Sequence, residues 1–310
     1  MKRWIVAIFN AAVLIVGITF LSFLLVYLSP SDPAEILLGK SGMMVTDEVL
    51  EAKRQELGLN KPMIVQYGLW LNNFVHGDMG VSFKNSKSVS QLFAIALPNT
   101  LLLTAVSMLL TIIISTPVGI ISAYKKDGIT DGIVRAVTYL FISIPAFFLA
   151  LIFLYVFSLK LKLLPVVGKV SLKGIIMPSL VLSLTLSAWY IRQVRAIILK
   201  ELEAPYVMGL RSRGISERSI LFSHVLVCSL APLLTLFAMS FGTMLGGSAI
   251  VESIFSWNGM GKLAVDAISA RDYPVIQAFV VWMAIIFMVI NYLVDVLYKL
   301  VDPRIRRNLG

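Results

Sequence analysis

Few residues in this chain stand in arrangements that perform chemistry. The two histidines, His76 and His224, sit in His-Gly-Asp and His-Val-Leu. Neither opens the His-Glu-x-x-His pattern that sets two imidazoles on one helical face around zinc. No Gly-x-Ser-x-Gly turn presents a nucleophilic serine. Cys228 is the one cysteine, which rules out an intrachain disulfide and a cysteine-based metal site. Gly259-Met260-Gly261-Lys262 is similar to the end of a phosphate-binding loop. Such a loop needs glycine five positions before Gly261 and Ser or Thr after the lysine, where Ser256 and Leu263 stand. The expectation is a chain with no catalytic residue, no metal site and no cofactor of its own.

The placement of charge narrows the reading further. Arg192, Arg195, Asp295 and Lys299 fall at the ends of long apolar blocks, and Glu252 at the end of another. None falls at a block's centre, where a proton relay or a set of gating charges would be needed. Asn10 and Asn291 lie within blocks and read as interhelical hydrogen-bonding groups.

These residues must be positioned by membrane helices. The chain has 310 residues, 58% hydrophobic and only 14% charged, against about 25% charged in soluble domains. The apolar excess is concentrated in long, nearly uncharged blocks, which excludes a nucleic-acid-binding domain, a disordered chain and an ordinary cytosolic enzyme. Six spans are expected: Ile5–Leu28, Thr100–Tyr124, Ile133–Leu159, Ile175–Ile198, Val225–Ile250 and Val275–Val294. The first follows Lys2-Arg3-Trp4, is longer than a signal-peptide core and lacks a small-x-small cleavage site, so it reads as an uncleaved helix. An even number of spans puts both termini on one side. With the termini inside and basic helix ends counted with their loops, the inside carries 15 Lys/Arg against 7 Asp/Glu, and the outside 12 against 10. That asymmetry places the termini in the cytoplasm and accounts for the net charge of +10 without a nucleic-acid partner. Lys160, Lys162, Lys169 and Lys173 run against the rule, since they lie outside; the first two can snorkel from a helix end, and the stretch could face an acidic partner.

The external segment 29–99 carries structure of its own. Thr46 followed by Asp47 and Glu48 predicts a capped helix start, with a stop at Gly58 after Leu57. Met63–Phe74, after Pro62, predicts a second, amphipathic helix. With no repeat and no linker, residues 1–310 read as one domain. Pro117, Pro145, Pro178 and Pro232 fall inside spans and favour kinks, as fixed packing features before deformable gates.

The loop 199–224 is too polar to span and too patterned for a connector. Leu202, Tyr206 and Leu210 recur at intervals of four, Gly214 can end the helix, and Ser216 with Glu217 can start the next turn. A short helix beneath the membrane follows, either docking a partner or resting on lipid. In span five, Ser240, Thr243, Met244 and Ser248 share one face, which would line a pathway or permit close helix packing.

The loop resembles the "EAA" loop of ATP-binding-cassette importer permeases, in the dipeptide/oligopeptide/nickel permease family. Tyr206-Val207, Arg211, Arg213 (for Lys), Gly214 and His224-Val225-Leu226 carry the resemblance. It extends through Leu57–Pro62 with Gln66-Tyr67 and Trp70-Leu71, Gly77–Phe83, Pro98-Asn99-Thr100, Gly246-Gly247, Trp257–Gly261, Asp272–Gln277 and Val301–Arg306. Leu210 and Ser212 depart from the family's usual alanines, Asn258 from a usual proline, and Val227-Cys228-Ser229 from a common Arg-Asn-Ala.

The resemblance implies an all-α polytopic fold of the type I importer permease class. It implies a bacterial or archaeal cytoplasmic membrane and a second, homologous permease subunit. Two ATPase subunits would bind the ATP and Mg, and an extracytoplasmic binding protein would deliver cargo. A coupling helix over about Leu202–Gly214 would present Leu202, Glu203, Tyr206, Leu210, Arg211, Arg213 and Gly214 to an ATPase. Gly77, Asp78, Gly80, Trp257, Asp272 and Tyr273 would form an external gate or the binding-protein contact. The cargo would be a short peptide, nickel or a metal chelate; two histidines disfavour a bare ion. A self-sufficient secondary carrier or an intramembrane enzyme are the competing classes.

Overall fold

The structure is a computed structural model, and it describes residues 2–30, 32–41, 46–168 and 171–301. The family-like Asp302–Arg306 stretch and Lys169 lie outside the described residues. Among the described residues the fold is all α-helical, apart from an isolated bridge between Val81 and Ser88. Lipid explains the choice of helix, since only a helix satisfies its own backbone in hydrocarbon.

Fourteen helices follow in order among the described residues. They are α1 Lys2–Tyr27, α2 Pro33–Ser41, α3 Asp47–Glu56, α4 Met63–Val75, α5 Val89–Tyr124, α6 Ile129–Ser143 and α7 Ala146–Phe153, which runs on as a π-helical stretch over Leu154–Lys160. Then come α8 Leu172–Leu202, α9 Pro205–Ser212, α10 Glu217–Ser219 with a π-helical stretch Ile220–Val225, α11 Leu226–Gly247, α12 Ala249–Ile254, α13 Met260–Ala270 and α14 Tyr273–Val301. Among the described residues, four stretches are long and apolar enough to cross a membrane unaided: α5, α8, Glu217–Gly247 and the Tyr273–Val294 part of α14. The α6/α7 pair makes a fifth if its two arms are one span, and α1 is apolar over Ala12–Tyr27.

Two expectations need correction. The third span is not one rod: α6 and α7 meet at 96°. Ile144, the residue before Pro145, is extended at φ −88° and ψ 118°, the conformation a following proline favours. The helices run through Pro178 and Pro232 instead. The external segment is also shorter than 29–99, because α5 starts at Val89. At 36 residues, α5 exceeds the length that about 30 Å of hydrocarbon requires, so its first turns project beyond the span.

The chain divides into two compact units, Met1–Pro98 with Lys262–Met288, and Asn99–Gly261 with Val289–Gly310. The boundaries fall inside α5, α13 and α14 rather than in linkers. In the first unit, the Thr46 side chain caps α3 and Gly58 ends that segment at φ +68°. Tyr67 and Trp70 of α4 pack their rings against Phe20 and Phe23 of α1. In the second unit, α8 is the central element. Its buried face, including Val181, Tyr190, Val194 and Ile198, joins one apolar core with residues of α5, α7, α9, α11 and α12.

Candidate functional site

The helix α9 begins three residues later than the spacing predicts. Leu202 is the last residue of α8, and Glu203 caps that helix. Ala204 is extended at φ −66° and ψ 145°, as the residue before a proline tends to be, and Pro205 takes the first helical position. Leu202 therefore shares no helix with Tyr206 and Leu210, although it packs against the same core.

The face that α9 turns inward is also different. Val207 is fully buried and Leu210 leans on the core, so both hold α9 to its own chain. The outward residues are Tyr206, 38% exposed, Met208, 73% exposed, and Gly209, Arg211, Ser212 and Arg213. Met208 and Val207 are the residues the four-residue spacing missed; both were legible once Pro205 is taken as the helix start. Gly214 ends the segment at φ +76°, a left-handed conformation that β-carbons disfavour, and Ser216 caps the next turn.

Charge around α9 is partly tied up within the chain. Arg211 makes a two-pronged pair with Glu217 at 2.7 and 3.1 Å, which raises the Arg211 pKa further. The Tyr206 hydroxyl donates to Glu201 at 2.9 Å, and Lys126 reaches Glu203 at 3.2 Å. Arg213 is exposed and has no ion pair among the described residues. The arrangement is a two-turn helix locked on one side, with an apolar-aromatic and cationic face left open.

The expected gate residues form two separate knots, one in each unit. In the first unit, Asp272 is 1% exposed. Its carboxylate accepts from the Ser82 hydroxyl at 2.5 Å and from the N–H groups of Phe83 and Lys84 at 3.0 and 3.1 Å. Tyr273 shares a hydrogen bond with Ser29 at 2.6 Å. Asp78 accepts from the Gly80 N–H at 2.9 Å, and Gly77 and Gly80 adopt φ +85° and +83°. In the second unit, Trp257 is fully buried and donates to the Asn99 carbonyl at 3.0 Å. Beside it Glu252, also fully buried, accepts from Thr100 at 2.8 Å and Ser248 at 3.0 Å. Gly259 and Gly261 cover this carboxylate so closely that a β-carbon at Gly261 would lie 2.9 Å from it, and one at Gly259 would overlap it. Those glycines serve close packing.

Of the span-five residues, Ser240, Met244 and Ser248 are buried, while Thr243 is exposed. The Ser240 and Thr243 hydroxyls bond back to carbonyls of their own helix, those of Leu236 and Ser240.

Sequence reasoning missed one cluster. Asp131 is fully buried and takes a two-pronged pair from Arg195 at 2.8 Å on both arms. Its partner lies 64 positions away, and only the neighbouring Arg192 and Arg195 at a helix end hinted at it. Arg192 itself stands 5.1 Å over the Tyr139 ring.

Known proteins give this geometry a family. Residues 115–307 match the family described as "Binding-protein-dependent transport system inner membrane component". Residues 1–104 match the N-terminal region of such components. A putative peptide transport system permease protein of Brucella abortus is 37% identical over 297 residues, covering 93% of this chain and 94% of the relative. The glutathione transport system permease protein GsiC of Pectobacterium atrosepticum is 38% identical over 286 residues, with 92% of each chain covered. The nickel import system permease protein NikB of Staphylococcus aureus is 34% identical over 309 residues, covering 100% of this chain and 93% of the relative. In fold, the chain is similar to one from an inward-facing structure of the MetNI methionine ABC transporter, with a TM-score of 0.60 at 19% identity, over 68% of this chain and 97% of that one. The chain belongs to the family of inner-membrane components of binding-protein-dependent transport systems, as a non-catalytic, multi-pass permease subunit of an ATP-driven importer.

Proposed function

We propose that this chain pairs with a second, homologous permease to enclose the translocation pathway, and acts as a single permease domain over residues 1–310. Two ATP-binding-cassette subunits bind ATP and Mg beneath it, and an extracytoplasmic binding protein delivers cargo from above. Both termini lie in the cytoplasm, as the charge asymmetry supports. The observation that carries the reading is α9. A short helix fixed inward by Val207 and Leu210 and open outward at Tyr206, Met208 and Arg213 fits insertion into a groove. Exposed aromatic and arginine side chains are the usual anchors of such contacts. ATPase closure then displaces α9 and rocks the spans between inward-open and outward-open states.

Each knot, within its own unit, contributes to an external gate or to the binding-protein contact. Thr243, on the exposed side of α11, contributes to the pathway wall, while Ser240, Met244 and Ser248 fix that helix. The cargo is a short peptide or a metal chelate carried whole. Relatives named for peptide, glutathione and nickel transport support this class.

The test is paired uptake in cells with and without the gene. Labelled nickel, with and without histidine as chelator, is compared with a labelled dipeptide and pentapeptide. Loss of either uptake supports the importer and names its cargo. Uptake of any of these by the single purified chain in liposomes without ATP refutes it.

A further inference from the structure

Asp131 ties three helices together. It lies on α6 and is fully buried. It accepts from Arg195 of α8, from the Ser122 hydroxyl of α5 at 2.5 Å, and from the Asp127 N–H of the α5–α6 turn at 3.1 Å. Arg135, one turn further along α6, stands 3.6 Å away. Beside this knot α5 and α8 touch backbone to side chain: a β-carbon on Gly119 would lie 2.7 Å from Val194. The same α5–α6 turn reaches α8 a second time, through Lys126 and Glu203 at 3.2 Å. Arg195 and Glu203 are eight residues apart, about 12 Å along the helix. Glu203 is also the last residue before the corner that leads into α9.

We propose that Asp131 is a positioning residue for energy transfer, binding α5, α6 and α8 into one body that Lys126–Glu203 joins to the leading end of α9. This rests on the docking role of α9 given above. The corner at Glu203-Ala204 would otherwise absorb the displacement of α9 as a local bend. The buried carboxylate opposes that, because one with several donors is costly to open and tightly packed elements transmit displacement rather than deform, and the exposed Lys126–Glu203 pair adds a weaker tether. The trailing end of α9 turns through Gly214 in a left-handed conformation, and the exposed Arg211–Glu217 pair spans that turn to the Glu217–Gly247 helix. Only the leading end is backed by a buried carboxylate, so the stroke enters through α8, α5 and α6.

The experiment uses the complete transporter, with both permeases, the ATPases and the binding protein, in proteoliposomes. It reads ATP hydrolysed per labelled cargo molecule imported. Asp131→Asn raises that ratio about fivefold or more, within the range of measured coupling effects. Lys126→Glu and Glu203→Lys each raise it about twofold, and the double reversal restores it, as a true pair requires. An Asp131→Asn transporter that assembles with an unchanged ratio, merely losing both activities together, overturns the proposal. If Asp131→Asn does not assemble, the exposed pair decides: equal ratios in the singles and the double overturn it. Met208→Glu tests the docking reading separately, by co-purification of the ATPases. Clamp effects with ATPases fully retained and coupled in Met208→Glu refute docking alone; released ATPases with unchanged clamp ratios refute the clamp alone.

Discussion

Asp272→Ala is the sharpest test of the knot at the start of α14. The native carboxylate accepts three hydrogen bonds while almost fully buried, two of them from the backbone of Phe83 and Lys84. Hydrogen bonds to a charged group contribute about 1.5–3 kcal/mol each, and donors left buried without an acceptor cost about as much again before they rehydrate. The loop over residues 81–88 can open to water, so a net loss of about 3 kcal/mol is the expected cost of removing all three bonds. At about 1.4 kcal/mol per factor of ten, the open population of that loop rises about a hundredfold. Lys84 and Lys87 lie in the loop, which makes trypsin the assay. When opening is fast relative to cleavage, the cleavage rate after these lysines tracks the open population. Asp272→Asn keeps one acceptor oxygen and falls between, while Ser82→Ala, which removes the bond to the carboxylate and the one accepted from the Asn85 N–H, costs about 2 kcal/mol and gives about thirtyfold. Cleavage of Asp272→Ala within about threefold of the unmodified protein, under conditions where Ser82→Ala is equally slow, refutes the idea that this carboxylate holds the loop.

Three further outcomes are expected. Gly259→Ala drives a methyl group into the Glu252 carboxylate and to 2.5 Å from the Thr100 hydroxyl, and costs about 1–3 kcal/mol, read as a lower unfolding temperature of the purified transporter. Gly214→Val forces a β-branched residue to φ +76°, at about 1–3 kcal/mol of local strain, and leaves ATP hydrolysis running while cargo uptake falls; normal coupled transport in that variant rejects the bend. Glu217→Gln breaks an ion pair whose partners are 46% and 48% exposed, so it changes stability by less than about 1 kcal/mol. Any larger change in ATPase affinity, measured by titrating salt, comes from freeing Arg211 toward the partner.

Where the fold could be read from the sequence, the signal was local. Thr46 with Asp47 and Glu48 starts α3, Gly58 ends the segment, and Pro62 precedes α4, because caps and breakers act on their own neighbours. Gly214 and Ser216 bound the docking segment for the same reason. The start of α9 was misread because a spacing of four was followed across Pro205, whose effect on Ala204 outweighs it. Four intramembrane prolines look alike in sequence, and only packing decides that Pro145 breaks a span while Pro178 stays inside one. The knots were out of reach, since Asp272 meets Ser82 across 190 positions and Asp131 meets Arg195 across 64. A lone acid carries no local mark of the donors that the fold brings to it.

The two sides of α9 sort its substitutions by where their effects are felt. A change at Val207 or Leu210 is paid for inside this chain, because those residues fill its own core. A change at Met208 or Arg213 leaves the core intact and alters what the helix can recognise, whereas one at Tyr206 also releases Glu201. Partner choice and folding are therefore separable inheritances on one eight-residue helix. Grafting only the outward residues of a related permease onto this scaffold should redirect it to that permease's ATPase without re-engineering the fold, and so give importers that share a membrane but not a motor.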